Sequence, residues 1–164
     1  MKNSMRVEAG NYLPDTAKRN NEAKQYLIFK SGKQSYGIHT ENVTGIEKMQ
    51  EVVWMPDLPY YAKGNVNFSG LIVPVIDLNL RLGRAEREHT ASTCIIVIAV
   101  GDSQLGFIVD SVKEIVDISD EQISPPPSLT TREGKHIVMG VSAIGKEIII
   151  LLNSRALFIE AGKQ

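Results

Sequence analysis

Residues 64–83 read G-N-V-N-F-S-G-L-I-V-P-V-I-D-L-N-L-R-L-G, and this stretch decides the fold class. Gly64 and Gly70 bracket a short polar segment, after which Leu71, Ile72, Val73, Val75, Ile76, Leu78, Leu80 and Leu82 follow with few polar breaks. The run is too short and too interrupted for a membrane span, and its β-branched centre predicts a core strand buried on both faces. Pro74 has no amide proton to give to a ladder, so it marks a bulge, a strand start or a junction between two strands. Asp77 among aliphatic neighbours needs a partner if buried; N-capping a short turn through Leu78 to Leu82, ended by Gly83, supplies one. The expected order is loop, buried strand, tight turn.

Upstream, Y-L-I-F (26–29), a turn at S-G-K (31–33) and Q-S-Y-G-I-H (34–39) predict a hairpin. Val43 and Ile46, with Thr40 as N-cap, stand at helical spacing and predict a short amphipathic helix over 41–48. Val52 to Met55 reads as a strand before Pro56 and Pro59. Trp54, Met55, Tyr60 and Tyr61 fit an exposed interaction patch or the core equally well. Residues 1–23 are polar and lack the apolar core of a signal peptide, which makes them a leader.

Downstream, 84–92 is a charged connector and the expected seam between two halves. C-I-I-V-I-A-V (94–100) and 104–109 form a second hairpin, 112–118 a strand, and 137–144 with 147–152 a third hairpin. Pro125, Pro126 and Pro127 open a surface crossing that continues to His136. Asn153 or Ser154 caps a terminal helix through Ile159, and 159–164 form a tail. About eight to ten strands with two short helices predict an all-β chain, arranged as two small barrels that close exposed sheet edges. No repeat in the sequence is strong enough to establish duplication.

Within 164 residues, 18 Lys and Arg oppose 19 Asp and Glu, so the formal charge of -1 draws the chain neither to nucleic acid nor to an anionic membrane. The single cysteine, Cys94, excludes an internal disulfide and suits the cytoplasm. His39, His89 and His136 are scattered, and no His or Cys pair has metal-ligand spacing. Asp77, Asp102, Asp110 and Asp117 sit on separate elements and read as caps or turn residues. The glycines form neither a dinucleotide nor a P-loop pattern. No metal, cofactor or catalytic constellation is expected, and the chain is read as no enzyme.

Y-L-I-F-K-S-G, Y-G-I (36–38), V-x-x-I (43–46), G-x-x-N-x-x-G with V-P-V-I-D-L (64–78), L-G-F-I-V-D-S-V (105–112), I-S-P-P-P (123–127) and the closing hairpin occur in one order. In that order the chain, over about 24–158, resembles the CheW family of bacterial chemotaxis coupling proteins. The resemblance implies one domain of two five-stranded, SH3-like β-barrels packed side by side. It also implies a non-catalytic adaptor that couples the cytoplasmic tips of chemoreceptors to the histidine kinase CheA and helps assemble receptor arrays at the membrane. Receptor-tip helices would lie in a groove between the barrels, and barrel ends would meet the kinase.

By position, Val43, Gly45, Ile46 and Ser69 resemble receptor-facing residues, with Gly106 near the same groove, and Val52 and Gly64 resemble kinase contacts. Core packing explains Val43, Ile46 and Val52 equally well, and a turn needing positive φ explains Gly64. The family usually carries Asn-Leu-Arg-Gly where this chain has Asn67-Phe68-Ser69-Gly70, and an acid where it has Gly45. Acid and arginine are missing together, which implies one paired feature of the groove replaced by a less charged surface. A CheV-like module is the alternative within signalling, although no receiver or kinase sequence precedes Gln164; a small-ligand-binding barrel is the alternative outside it.

Overall fold

The computed structural model describes residues 23–126 and 137–158. Within them run β1 (Lys24–Ser31), β2 (Gln34–His39), β3 (Val43–Lys48), β4 (Ala62–Phe68), β5 (Leu71–Asp77), β6 (Cys94–Val100), β7 (Ser103–Val109), β8 (Ser111–Ile118), β9 (Ile123–Ser124), β10 (Val138–Ile144) and β11 (Glu147–Leu152). Two one-turn helices, α1 (Leu78–Arg81) and α2 (Ser154–Leu157), follow β5 and β11. The strands form two sheets, ordered β8-β1-β2-β11-β10-β9 and β3-β6-β7-β5-β4. The first has a sixth strand beyond the expected five because the two-residue β9 pairs with β10.

The two sheets have one plan. Each centres on a hairpin, β1 with β2 or β6 with β7, flanked by an antiparallel strand, β8 or β3. On its other side the hairpin pairs in parallel with β11 or β5, the inner strand of a second hairpin. The helix after that strand is capped in the same way: the Asp77 carboxylate accepts from the Leu80 amide at 3.0 Å, and the Asn153 side chain accepts from Arg155 at 3.1 Å. The hairpins are exchanged between halves of the chain, since β1 and β2 complete the sheet of β8–β11 while β6 and β7 complete that of β3–β5.

Three apolar clusters follow from strand alternation. One face of each sheet contributes to a shared core, in which Leu27, Phe29, Tyr36 and Ile38 meet Ile76, Ile96, Ile98, Leu105 and Phe107. The Phe29 and Phe107 rings lie 5.5 Å apart across it. The opposite face of the five-stranded sheet holds Val66, Val73, Val75, Ile95, Val97 and Ile108, and that of the six-stranded sheet holds Tyr26, Ile28, Ile118, Ile149 and Leu151. Polar contacts fasten the two sheets: the Ser31 hydroxyl donates to Asn79 Oδ1 at 2.9 Å, and Arg84 donates to the Tyr36 hydroxyl and the Ser31 carbonyl.

The three predicted hairpins, the strand over 112–118 and the Asp77 cap are present. Pro74 precedes Val75, where β5 takes up β7 as a second partner, so no ladder bond to β7 is lost. The structure corrects six other expectations. Residues 43–48 are strand β3, not helix, because a bulge between Val43 and Gly45 resets the alternation and puts Val43 and Ile46 on one face, three residues apart. Residues 52–55 make a single bridge, Val53 to Asn65, rather than a strand.

Residues 64–68 belong to strand β4, not to a loop, and Leu71 and Ile72 are exposed instead of buried. The 84–92 connector joins α1 to β6 within one sheet, so the chain changes sheet at 39–43 and 109–111 rather than there. Helix α2 ends at Leu157, because Phe158 is already extended. The leader to residue 22, the crossing over 127–136 and the tail from Ile159 lie outside the described residues.

Candidate functional site

The expected site residues lie on or beside the five-stranded sheet: Val43, Gly45 and Ile46 on β3, Gly64 on β4, Ser69 in the β4–β5 turn, Gly106 on β7, and Val52 ahead of β4. Gly45, Val97, Gly106, Val75 and Gly64 form one register row across all five strands, alternating glycine with valine. Val75 and Val97 belong to the cluster on the inner face, so the three glycines open space there. Gly106 is buried, and a Cβ on it would come 2.8 Å from Ile95 Cγ2. It lies in β7, in the interior of the sheet.

Gly64 is also buried, within β4, with φ +139°; a Cβ there would lie 2.1 Å from the Val53 carbonyl oxygen. The glycine is thus required by close approach of a second backbone, not by a turn. Val53 is held over it by two backbone bonds, Val53 N–H to Asn65 O at 2.8 Å and Asn65 N–H to Val53 O at 2.9 Å. Val52 packs half-buried against the inner cluster beside this bridge. Val52 and Gly64 therefore hold a surface segment in place.

That segment is apolar. Val53, Trp54 and Met55 are 63%, 70% and 44% exposed, and Ile72 on β5 is 80% exposed. With Asn65 and Asn67, Val53, Met55 and Ile72 line one shallow hollow. The Asn65 side chain donates to Met55 Sδ. Tyr60 is exposed as well, whereas Tyr61 packs against the shared core with Arg81 over its ring at 4.8 Å. The alternatives for these aromatics divide: Trp54, Met55 and Tyr60 are surface, Tyr61 is core.

On the opposite edge, Val43 packs against the shared core and Ile46 is 47% exposed on the same face of β3. Ser69 and Gly70 have φ +52° and +84°, the two-residue primed turn joining β4 to β5, and Asn67 Oδ1 accepts from the Gly70 amide at 2.9 Å. Gly45 and the 67–70 segment do meet, but through a residue that sequence reasoning left out. The Phe68 ring lies over Gly45, and a Cβ at 45 would be 2.6 Å from Phe68 Cζ. At these positions the chain has a ring seated on a glycine, with no charged side chain at 45 or 69.

Among the described residues, Asp77, Glu86 and His89 bring their ligand atoms within 4.8 Å of one another. Lys63 Nζ, 2.7 Å from Glu86, supplies positive charge at that cluster. Burial raises the Asp77 pKa, and the Leu80 amide opposes the shift. Burial also raises the Cys94 thiol, which disfavours the thiolate, and lowers the pKa of His39 at the end of β2. His89 is exposed.

A CheW-like domain family model matches residues 25–161. The chain belongs to the CheW-like family. It is 32% identical over 143 residues to the chemotaxis protein CheW of Treponema pallidum, a match covering 85% of this chain and 84% of that protein. It is 30% identical over 130 residues to the chemotaxis protein CheW of Klebsiella aerogenes, covering 79% and 78%. The crystal structure of the scaffolding protein TtCheW from Thermoanaerobacter tengcongensis is similar with a TM-score of 0.78 at 30% identity, over 86% of this chain and 96% of that one. The two sheets are the two SH3-like barrels of the CheW architecture, and the chain is a chemotaxis coupling protein. Among the described residues no helix is long and apolar enough to cross a membrane.

Proposed function

We propose that this coupling protein is a non-catalytic adaptor that joins the cytoplasmic tip of chemoreceptors to the regulatory domain of the histidine kinase CheA, at membrane-associated arrays. The observation that supports this reading is the exposure of four large apolar side chains, Val53, Trp54, Met55 and Ile72, of which Val53, Met55 and Ile72 line one hollow. This surface is the kinase contact, and Val52 and Gly64 act by fixing the segment that presents it. The receptor contacts are Val43 and Ile46 on β3, which borders the shared core, and Ser69 in the turn between β4 and β5. Gly45 and Gly106 act from within the barrel.

Two partners on one rigid sheet are coupled only to the extent that each binds one arrangement of it better than another. The test is a pull-down of the full chain with a chemoreceptor cytoplasmic fragment and CheA from the same cell. A ternary complex is expected; binding to neither partner refutes the adaptor reading.

A further inference from the structure

We infer that Met55 is an oxidation site: a peroxide converts its thioether to the sulfoxide, and the added oxygen weakens the contact that the hollow of Val53, Met55 and Ile72 makes with CheA. The effect on CheA rests on the adaptor reading above; the oxidation of Met55 does not.

Four sulfur atoms lie in the described residues, in Met49, Met55, Cys94 and Met139. Cys94 is buried, and burial raises its thiol pKa, so the reactive thiolate is disfavoured. Met49 is half-buried and packs on the inner cluster of the five-stranded sheet. Met139 on β10 is 37% exposed, but it belongs to the other sheet and does not line the hollow. Met55 is 44% exposed and does line it. Its sulfur accepts from the Asn65 side chain in an exposed contact, so solvent and a donor amide both reach the atom to be oxidised.

The step balances with a peroxide as oxidant. The sulfur lone pair attacks one peroxide oxygen, the S–O bond forms as the O–O bond breaks, and a proton passes to the departing oxygen, which leaves as water. Sulfur loses two electrons and the peroxide gains them. A thioether is a weak acceptor, whereas the sulfoxide oxygen is a polar one, so the Asn65 amide that touches the reactant holds the product better. The hollow is thereby made polar at Met55. A partner covering it must strip water from the S=O group and buries less apolar surface in return.

The experiment treats the full chain with hydrogen peroxide, maps added oxygen by peptide mass, and measures binding of the CheA regulatory domain before and after. Met55 should gain its oxygen before Met49. CheA binding should fall about tenfold in proportion to the oxygen at Met55, and methionine sulfoxide reductases with a thiol reductant should restore it. Met139→Leu should lose binding on peroxide treatment as the parent does, whereas Met55→Leu, compared with itself before treatment, should lose none. Met55→Gln, which puts a polar acceptor there without any oxidant, should weaken CheA binding similarly while leaving Tm within a few degrees of the parent. The inference is overturned if Met49 is oxidised first, if binding survives full oxidation of Met55, or if peroxide weakens Met55→Leu as much as the parent. An untreated parent that binds no CheA removes the kinase contact and the loss of affinity together, and the order of oxidation then decides the site alone.

Discussion

Replacing Gly64 by alanine tests whether the apolar segment is held by close backbone approach. The added methyl would lie 2.1 Å from the Val53 oxygen and 2.7 Å from its carbonyl carbon, so Val53 must lift away. That breaks the pair of backbone bonds at 2.8 and 2.9 Å, worth about 1 kcal/mol each. Alanine at φ +139° adds backbone strain of about 1–3 kcal/mol. The expected loss is about 3–5 kcal/mol, a fall in Tm of roughly 6–20 °C for a chain of this size.

Gly70→Ala is the matched control, because Gly70 also has positive φ but nothing within 4 Å of its missing Cβ. It should cost only the left-handed backbone, about 1–2 kcal/mol. Thermal and urea unfolding read the difference. Binding of the CheA regulatory domain to Gly64→Ala should fall more than binding of the receptor fragment, since Val53 to Met55 move. Equal destabilisation by the two alanines would refute the claim that Val53 rests on Gly64.

Two further outcomes are expected. Ile72→Ser at an 80% exposed position should leave Tm within a few degrees of the parent while weakening CheA binding several-fold; calorimetric binding showing no change removes Ile72 from the contact. Asp77→Asn keeps the cap, since asparagine caps as well as aspartate, and removes a buried carboxylate whose pKa lies above its ordinary 3.8. For such a group the folded state holds its proton more tightly, so parental stability falls as pH rises from about 3.8 through the raised folded value, and the penalty persists at neutral pH. Denaturation at several pH values should show the parent gaining on Asp77→Asn as pH drops through that window; a relative loss there contradicts the sign.

The hairpins were legible because each pairs neighbouring apolar runs across a turn, and the Asp77 cap because a lone acid before L-N-L-R has few other uses. Strand β3 was misread for a physical reason: its bulge at Val43 and Gly45 places two apolar residues three apart, the same spacing a helix uses. The common plan of the two sheets escaped notice because equivalent positions share roles rather than residue types, such as Asp77 and Asn153 as caps. Exposure of Ile72 beside buried Val73 is set by which face another sheet covers, and composition does not say that. The packing of Phe68 on Gly45 was not legible because the two stand 23 positions apart, on opposite edge strands of the sheet.

The exchange of hairpins has a consequence for how this protein is made. When β1 and β2 leave the ribosome, the strands they pair with on either side, β8 and β11, are still tens of residues from being synthesised. Until then Tyr26, Leu27, Ile28 and Phe29 have no complete barrel to enter, and the nascent chain carries an open apolar edge. Cutting between residues 84 and 92 would yield two pieces, each lacking the hairpin that finishes its sheet. Neither fragment should fold alone, yet the two mixed together can supply each other's missing strands.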